Sequence, residues 1–149
     1  MKTGTPSGES ACIHLQGCRH NGRWMVKQPF TVYVVDDDKS IRRALKRLLS
    51  SVGYSVLTFE SAEEFLNSSS GLDQGCLLLD IRLPGMTGFE LQEKLASGGR
   101  KYLFIFMTAY ENPQWRERAA KAGAVAYLKK PFNENSLFDA IQLARGKEV

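Results

Sequence analysis

From Phe30 onward the chain alternates between two hydrophobic periods. Phe30–Val35, Tyr54–Phe59, Gly75–Leu79, Leu103–Met107 and Ala124–Leu128 are short apolar runs bounded by turn residues, and they predict strands. The segments between them follow a helical period. Ser40–Ser51 sets Ile41, Ala44, Leu45, Leu48 and Leu49 on one face, with Arg42, Arg43, Lys46 and Arg47 elsewhere. Asp38 is placed to cap this helix and Gly53 to end it. Ser61-Ala62-Glu63-Glu64 reads as a capping box that opens a short helix carrying Phe65 and Leu66. Phe89–Leu95 predicts a third helix, closed by Ser97-Gly98-Gly99. Pro113 fits the first turn of a fourth, with Gly123 after its end. Asn133–Arg145 is the last, with Leu137, Phe138, Ile141 and Leu143 as its apolar positions. Five strand–helix units of this length predict an α/β fold: a doubly wound five-stranded parallel sheet with helices on both faces.

Residues 1–28 show no sustained period and are rich in Gly, Ser and Thr, so they read as a flexible leader ahead of a domain at 29–149. Met25 stands just before the first strand and is a candidate natural start. Cys12, His14, Cys18 and His20 lie in this leader, but their spacing matches none of the usual structural zinc patterns. Cys76 falls in a predicted strand and reads as a small core residue. The net charge of +4 is concentrated in the leader, so the folded part is nearly neutral and the basic balance is no argument for nucleic acid. With no apolar run long enough to span a membrane and no signal-peptide core, the cytoplasm is the expected location.

The polar residues that matter stand where strands end. The first strand delivers Asp36 and Asp37, the third Asp80, the fourth Thr108, and the loop after the fifth delivers Lys130. In a parallel sheet all carboxyl ends share one edge, so these groups converge although distant in sequence. Three neighbouring carboxylates repel and need compensation. A hard divalent cation and a lysine supply it, and magnesium bound by one or two carboxylates, water and phosphate oxygens suits phosphoryl transfer. Asp80, alone on the central strand, is the natural acceptor.

Val34-Val35-Asp36-Asp37, Asp80-Ile81-Arg82-Leu83-Pro84-Gly85-Met86-Thr87-Gly88, Met107-Thr108-Ala109 and Lys130-Pro131-Phe132 together resemble a response-regulator receiver domain, the CheY-like fold of two-component signalling. The resemblance covers Thr31 to about Arg145. It implies that Asp80 accepts a phosphoryl group from a sensor histidine kinase. Asp36, Asp37, Asp80 and the backbone carbonyl of Arg82 would hold Mg2+. Lys130 and Thr108 would contact the phosphoryl oxygens, and small Ala109 would leave room for them. Thr108 and Tyr127 would form the switch that alters the surface of the fourth helix, fifth strand and fifth helix, where a partner or a second copy would bind. Such a domain signals and is not an enzyme beyond accepting and slowly losing its own phosphoryl group.

Phe59-Glu60-Ser61-Ala62-Glu63-Glu64-Phe65-Leu66 further resembles receivers of the FixJ type, which precede a DNA-binding domain; no recognised DNA-binding motif appears in this chain. The alternative is a phosphatase of the haloacid dehalogenase type. There Asp36, in Asp36-Asp37-Asp38-Lys39-Ser40, would be the nucleophile and Asp38 the acid/base. That reading leaves Asp80 without a role and finds no acidic pair after Lys130.

Overall fold

The computed structural model describes residues 19–20, 23–24, 30–68, 75–99, 102–110 and 112–147. Apart from a two-residue antiparallel ladder, Arg19–His20 with Arg23–Trp24, the leader lies outside them, as do Cys12, His14 and Cys18. From Phe30 onward the elements are β1 (Thr31–Val35), α1 (Lys39–Ser51), β2 (Ser55–Phe59), α2 (Ala62–Ser68) and β3 (Cys76–Asp80). Then come α3 (Gly88–Ser97), β4 (Leu103–Thr108), α4 (Pro113–Lys121), β5 (Ala126–Lys129) and α5 (Glu134–Lys147). The five strands form one parallel sheet in the order β2-β1-β3-β4-β5. Among the described residues no helix is long and apolar enough to cross a membrane.

The period-two alternation of the strands builds two cores, one on each face of the sheet. Tyr33, Val35, Leu77, Leu79, Phe104 and Phe106 point to one side, against Phe65 of α2, Phe89, Leu91 and Leu95 of α3 and Ala119 of α4. Val32, Val34, Leu78, Ile105 and Met107 point to the other, against Leu45 and Leu49 of α1 and Leu137, Ala140, Ile141 and Ala144 of α5. All five residues of β3 are buried, which is why its sequence is a continuous apolar run rather than an alternating one. The chain leaves β1 for β2 on one side and returns to β3 on the other. The crevice between β1 and β3 is therefore the switch point where ligands of such sheets sit.

The caps follow the sequence, with one difference. Asp38 Oδ1 accepts from Ser40 N (2.8 Å) and Ile41 N (3.3 Å). Thr87 and Glu90 form a complete capping box at α3. At α2 Ser61 accepts from Glu64 N (3.0 Å), but Glu64 Oε1 accepts from Glu60 N (2.8 Å), one residue before the cap. Three further expectations are corrected. Leu143 is exposed, at 55%, because the inner stripe of α5 runs through Leu137, Ala140, Ile141 and Ala144. Two of those positions are alanines, which hydrophobicity alone ranks below leucine. On α1 only Leu45 and Leu49 are buried; Ala44 is exposed. The strand expected at Ala124–Leu128 lies at Ala126–Lys129, although Val125 N already donates to Phe104 O (2.7 Å).

Gly88 lets the start of α3 close onto β3. Its N donates to Ile81 O (2.9 Å), and a Cβ there would stand 2.6 Å from Asp80 O and 3.0 Å from Ile81 Cα. Backbone atoms cannot yield as a flexible side chain does. Gly88→Ala is therefore expected to destabilise the fold by about 1–3 kcal/mol, as overpacking does, measurable by urea unfolding. Unchanged stability would show that the α3 start is free to move away.

Candidate functional site

Asp36 follows β1 directly and is fully buried. Its backbone N donates to Phe59 O (3.1 Å), tying it to the end of β2. Its carboxylate accepts from Asp38 N through Oδ1 (2.9 Å) and from Lys130 Nζ through Oδ2 (2.7 Å). Its carbonyl accepts from Arg42 Nη1 of α1 (2.7 Å). Asp37, next along the chain, is exposed. Asp80 ends β3, nearly buried; it accepts from Arg82 N through Oδ1 (3.1 Å) and from Lys130 Nζ through Oδ2 (3.1 Å).

Asp36, Asp37 and Asp80 thus meet at the switch point, each offering a carboxylate oxygen within 4.8 Å of the others. An all-oxygen donor set with excess negative charge and one solvent-facing member fits a hard divalent cation that keeps part of its water shell. Lys130 lies in the loop after β5, where its N donates to Thr108 O (2.7 Å) and the Lys130–Pro131 peptide bond is cis. Thr108 is buried at the end of β4, its Oγ1 accepting from Tyr110 N (3.1 Å). Ala109 is exposed beside it.

The electrostatics follow from this crowding. Burial first, then the charge of Asp36, pushes the Asp80 carboxyl up to about 6, although Lys130 and the Arg82 amide favour its ionised form. For Lys130, burial works against the ammonium, but its hydrogen bond to Asp36 and the charges of Asp80 and Asp36 prevail and raise it. The lysine is held charged between two acids.

Around this centre lie contacts that sequence reading did not find. The Arg82 guanidinium covers the exposed Tyr110 ring at 3.9 Å, and that ring meets Trp115 edge-on at 6.4 Å. Arg82 and Tyr110 stand two residues after Asp80 and Thr108, but nothing in that spacing shows that their side chains touch. Glu63 of α2 accepts from Met86 N (3.2 Å), bracing the β3–α3 loop. Tyr127 of β5 is half-buried against the core under α4, with the Arg116 guanidinium 4.5 Å above its ring. On the other side of the site a cavity of about 620 Å³ is lined by Ile41, Ala44 and Leu48 of α1 with Pro131, Phe132 and Leu137.

The Asp80 shift has a defined sign. Its folded value, about 6, lies above its ordinary 3.8, so the folded state holds the proton more tightly. Its contribution to stability is fully present below the ordinary value and is lost as pH rises through the folded one. In metal-free buffer Asp80→Asn is therefore expected to melt above wild type at pH 7, by on the order of 5 °C, and the gap should close toward pH 4. Thermal unfolding followed by circular dichroism across that range checks it; a gap that does not change with pH would assign the effect to packing.

Residues 32–142 match the family described as the response regulator receiver domain. The transcriptional regulatory protein TdiR of Thauera aromatica is 41% identical over 114 residues, covering 76% of this chain and 50% of TdiR. Among solved structures, the response regulator StyR superposes with a TM-score of 0.73 at 45% identity, covering 78% of this chain and 59% of that one. The crystal structure of FixJ-N superposes with a TM-score of 0.76 at 33% identity, covering 83% of this chain and 98% of that one. The chain spans about half the length of the relatives it matches. Strand order, acid cluster and these likenesses agree: the chain belongs to the response regulator receiver domains of two-component signalling.

Proposed function

We propose that the domain accepts a phosphoryl group on Asp80 from a sensor histidine kinase and signals by the change that follows. The observation that carries this reading is the meeting of Asp36, Asp37 and Asp80 oxygens with Lys130 at the β1/β3 switch point. A carboxylate oxygen of Asp80 forms the bond to phosphorus as the phosphorus–nitrogen bond of the kinase's phosphohistidine breaks, and the leaving imidazole takes up a proton. Asp36, Asp37, Asp80 and the Arg82 carbonyl would hold Mg2+, which when bound would neutralise charge on the transferring group. Lys130 is already hydrogen-bonded to Asp80 and needs only a small shift to reach phosphoryl oxygens. Thr108 supplies a neutral hydroxyl donor, and Ala109 leaves space.

Phosphorylation takes Asp80 from one negative charge to about two and adds acceptor oxygens. Thr108 is drawn toward them, and Tyr127 follows inward beneath α4. The altered α4–β5–α5 surface then binds a partner or a second copy. The apolar cavity between α1 and the β5–α5 loop offers the kinase a contact beside the acceptor. Its relative TdiR is named a transcriptional regulatory protein, and transcriptional control is the output proposed for the longer protein in which such a receiver works. The phosphatase alternative fits less well: Asp38, its acid/base, serves as a helix cap, and Asp36, its nucleophile, is fully buried.

Incubation with acetyl phosphate and Mg2+, followed by peptide mapping, is expected to place the label on Asp80. Asp37→Ala should abolish labelling while circular dichroism stays unchanged; normal labelling of that variant would remove the metal site. A label on Asp36 instead would favour the phosphatase reading. Lifetime gives a separate test, because the Arg82–Tyr110 stack borders the acceptor. Tyr110→Ala is expected to shorten the life of the aspartyl phosphate several-fold by admitting water. An equal or longer lifetime would show that the stack does not shield it.

A further inference from the structure

Asp37 poses a positioning problem. Its carboxylate makes no hydrogen bond or ion pair to any described residue, and it faces solvent. Asp36, by contrast, is held through its amide, its carbonyl and both carboxylate oxygens. A metal ligand with a free side chain can be preorganised only through its backbone.

One residue brackets that backbone. Arg42 Nη1 donates to Asp36 O (2.7 Å), and Arg42 N donates to Asp38 O (3.0 Å). The carbonyl of Asp36 and the amide of Asp37 share one planar peptide unit, so a bond to the first orients the second. The Asp38 carbonyl fixes the other side. Of the five basic residues of α1, Lys39, Arg43, Lys46 and Arg47 are exposed, and only Arg42 is half-buried, turned back toward the acids. Its guanidinium bonds a carbonyl and occupies no carboxylate oxygen, whereas Lys130 occupies one on Asp36 and one on Asp80.

We propose that Arg42 is a positioning residue that sets Asp37 for magnesium. The inference rests on the reading of Asp37 as a metal ligand. Outer-shell partners of this kind tune metal affinity by roughly 10-fold or more when removed. Arg42 acts on affinity rather than on chemistry, so saturating magnesium should restore what its loss takes away.

The test compares wild type, Arg42→Met and Arg42→Lys. The melting temperature is followed against MgCl2 alone, and acetyl phosphate labelling is followed against MgCl2. Arg42→Met keeps a long side chain without the donor; it is expected to raise the magnesium midpoint about 10-fold in both series. Its maximal labelling should approach wild type, and Arg42→Lys should lie between. Should Arg42→Met not fold, the Arg42→Lys midpoint decides alone, since the shorter single donor reaches the carbonyl poorly. A lower metal-free melting temperature with an unshifted magnesium midpoint would make Arg42 merely structural and overturn the inference. A wild type that shows no response to magnesium would fail the metal reading itself, and this inference with it.

Discussion

The constraint on which the site depends is the buried ion cluster that Lys130 forms with Asp36 and Asp80. Two carboxylates at the ends of neighbouring strands, both nearly shielded from water, cannot both ionise cheaply without a cation between them. Lys130 reaches them from beyond β5, across the sheet, with Nζ 2.7 Å and 3.1 Å from their oxygens. Removing Lys130 would leave both acids buried without their cation, a strongly destabilising change. The ends of β1 and β3 and the loop after β5 are therefore set relative to one another by electrostatics, whereas hydrophobic burial sets the strands behind them.

The same site is poised rather than relaxed. Burial and Asp36 hold the Asp80 carboxyl at a raised pKa, so added positive charge or loss of the negative charge relieves it. Lys130 divides its donors between two acids, so it can turn toward a new anion at Asp80 while keeping its shorter bond to Asp36. A change of charge at Asp80 is felt at once by the groups around it.

What lies beyond the site is held more lightly. α4 buries only Ala119, and much of its attachment is through arginines laid on rings: Arg116 on Tyr127 and Arg118 on Phe89, the latter also paired with Glu93. The Arg82–Tyr110 stack meets α4 through Trp115. Such exposed contacts are individually modest. An element fastened this way is drawn from the low-stability end of the structure, where a few kcal/mol suffice to shift a population. On the α1–α5 side the helices are held by Leu45, Leu49, Leu137 and Ile141, all fully or nearly fully buried.

By itself the sequence determined the fold class, the order of elements to within about two residues, and which acids, hydroxyl and lysine stand at strand ends. Period and caps are local properties, and a parallel sheet turns a strand-end residue into a residue on one shared edge. Only the tertiary structure decided that Asp36 has both its oxygens engaged while Asp37 is open, that Arg42 rather than adjacent Arg43 turns back to the acid loop, and that Arg82 lies on Tyr110. It also decided that Ala140 and Ala144, and not Leu143, face the core. These depend on the angle at which each helix lies on the sheet and on which rotamer the neighbours leave room for. Both are set by packing between segments far apart in the chain, so no local pattern of residues encodes them.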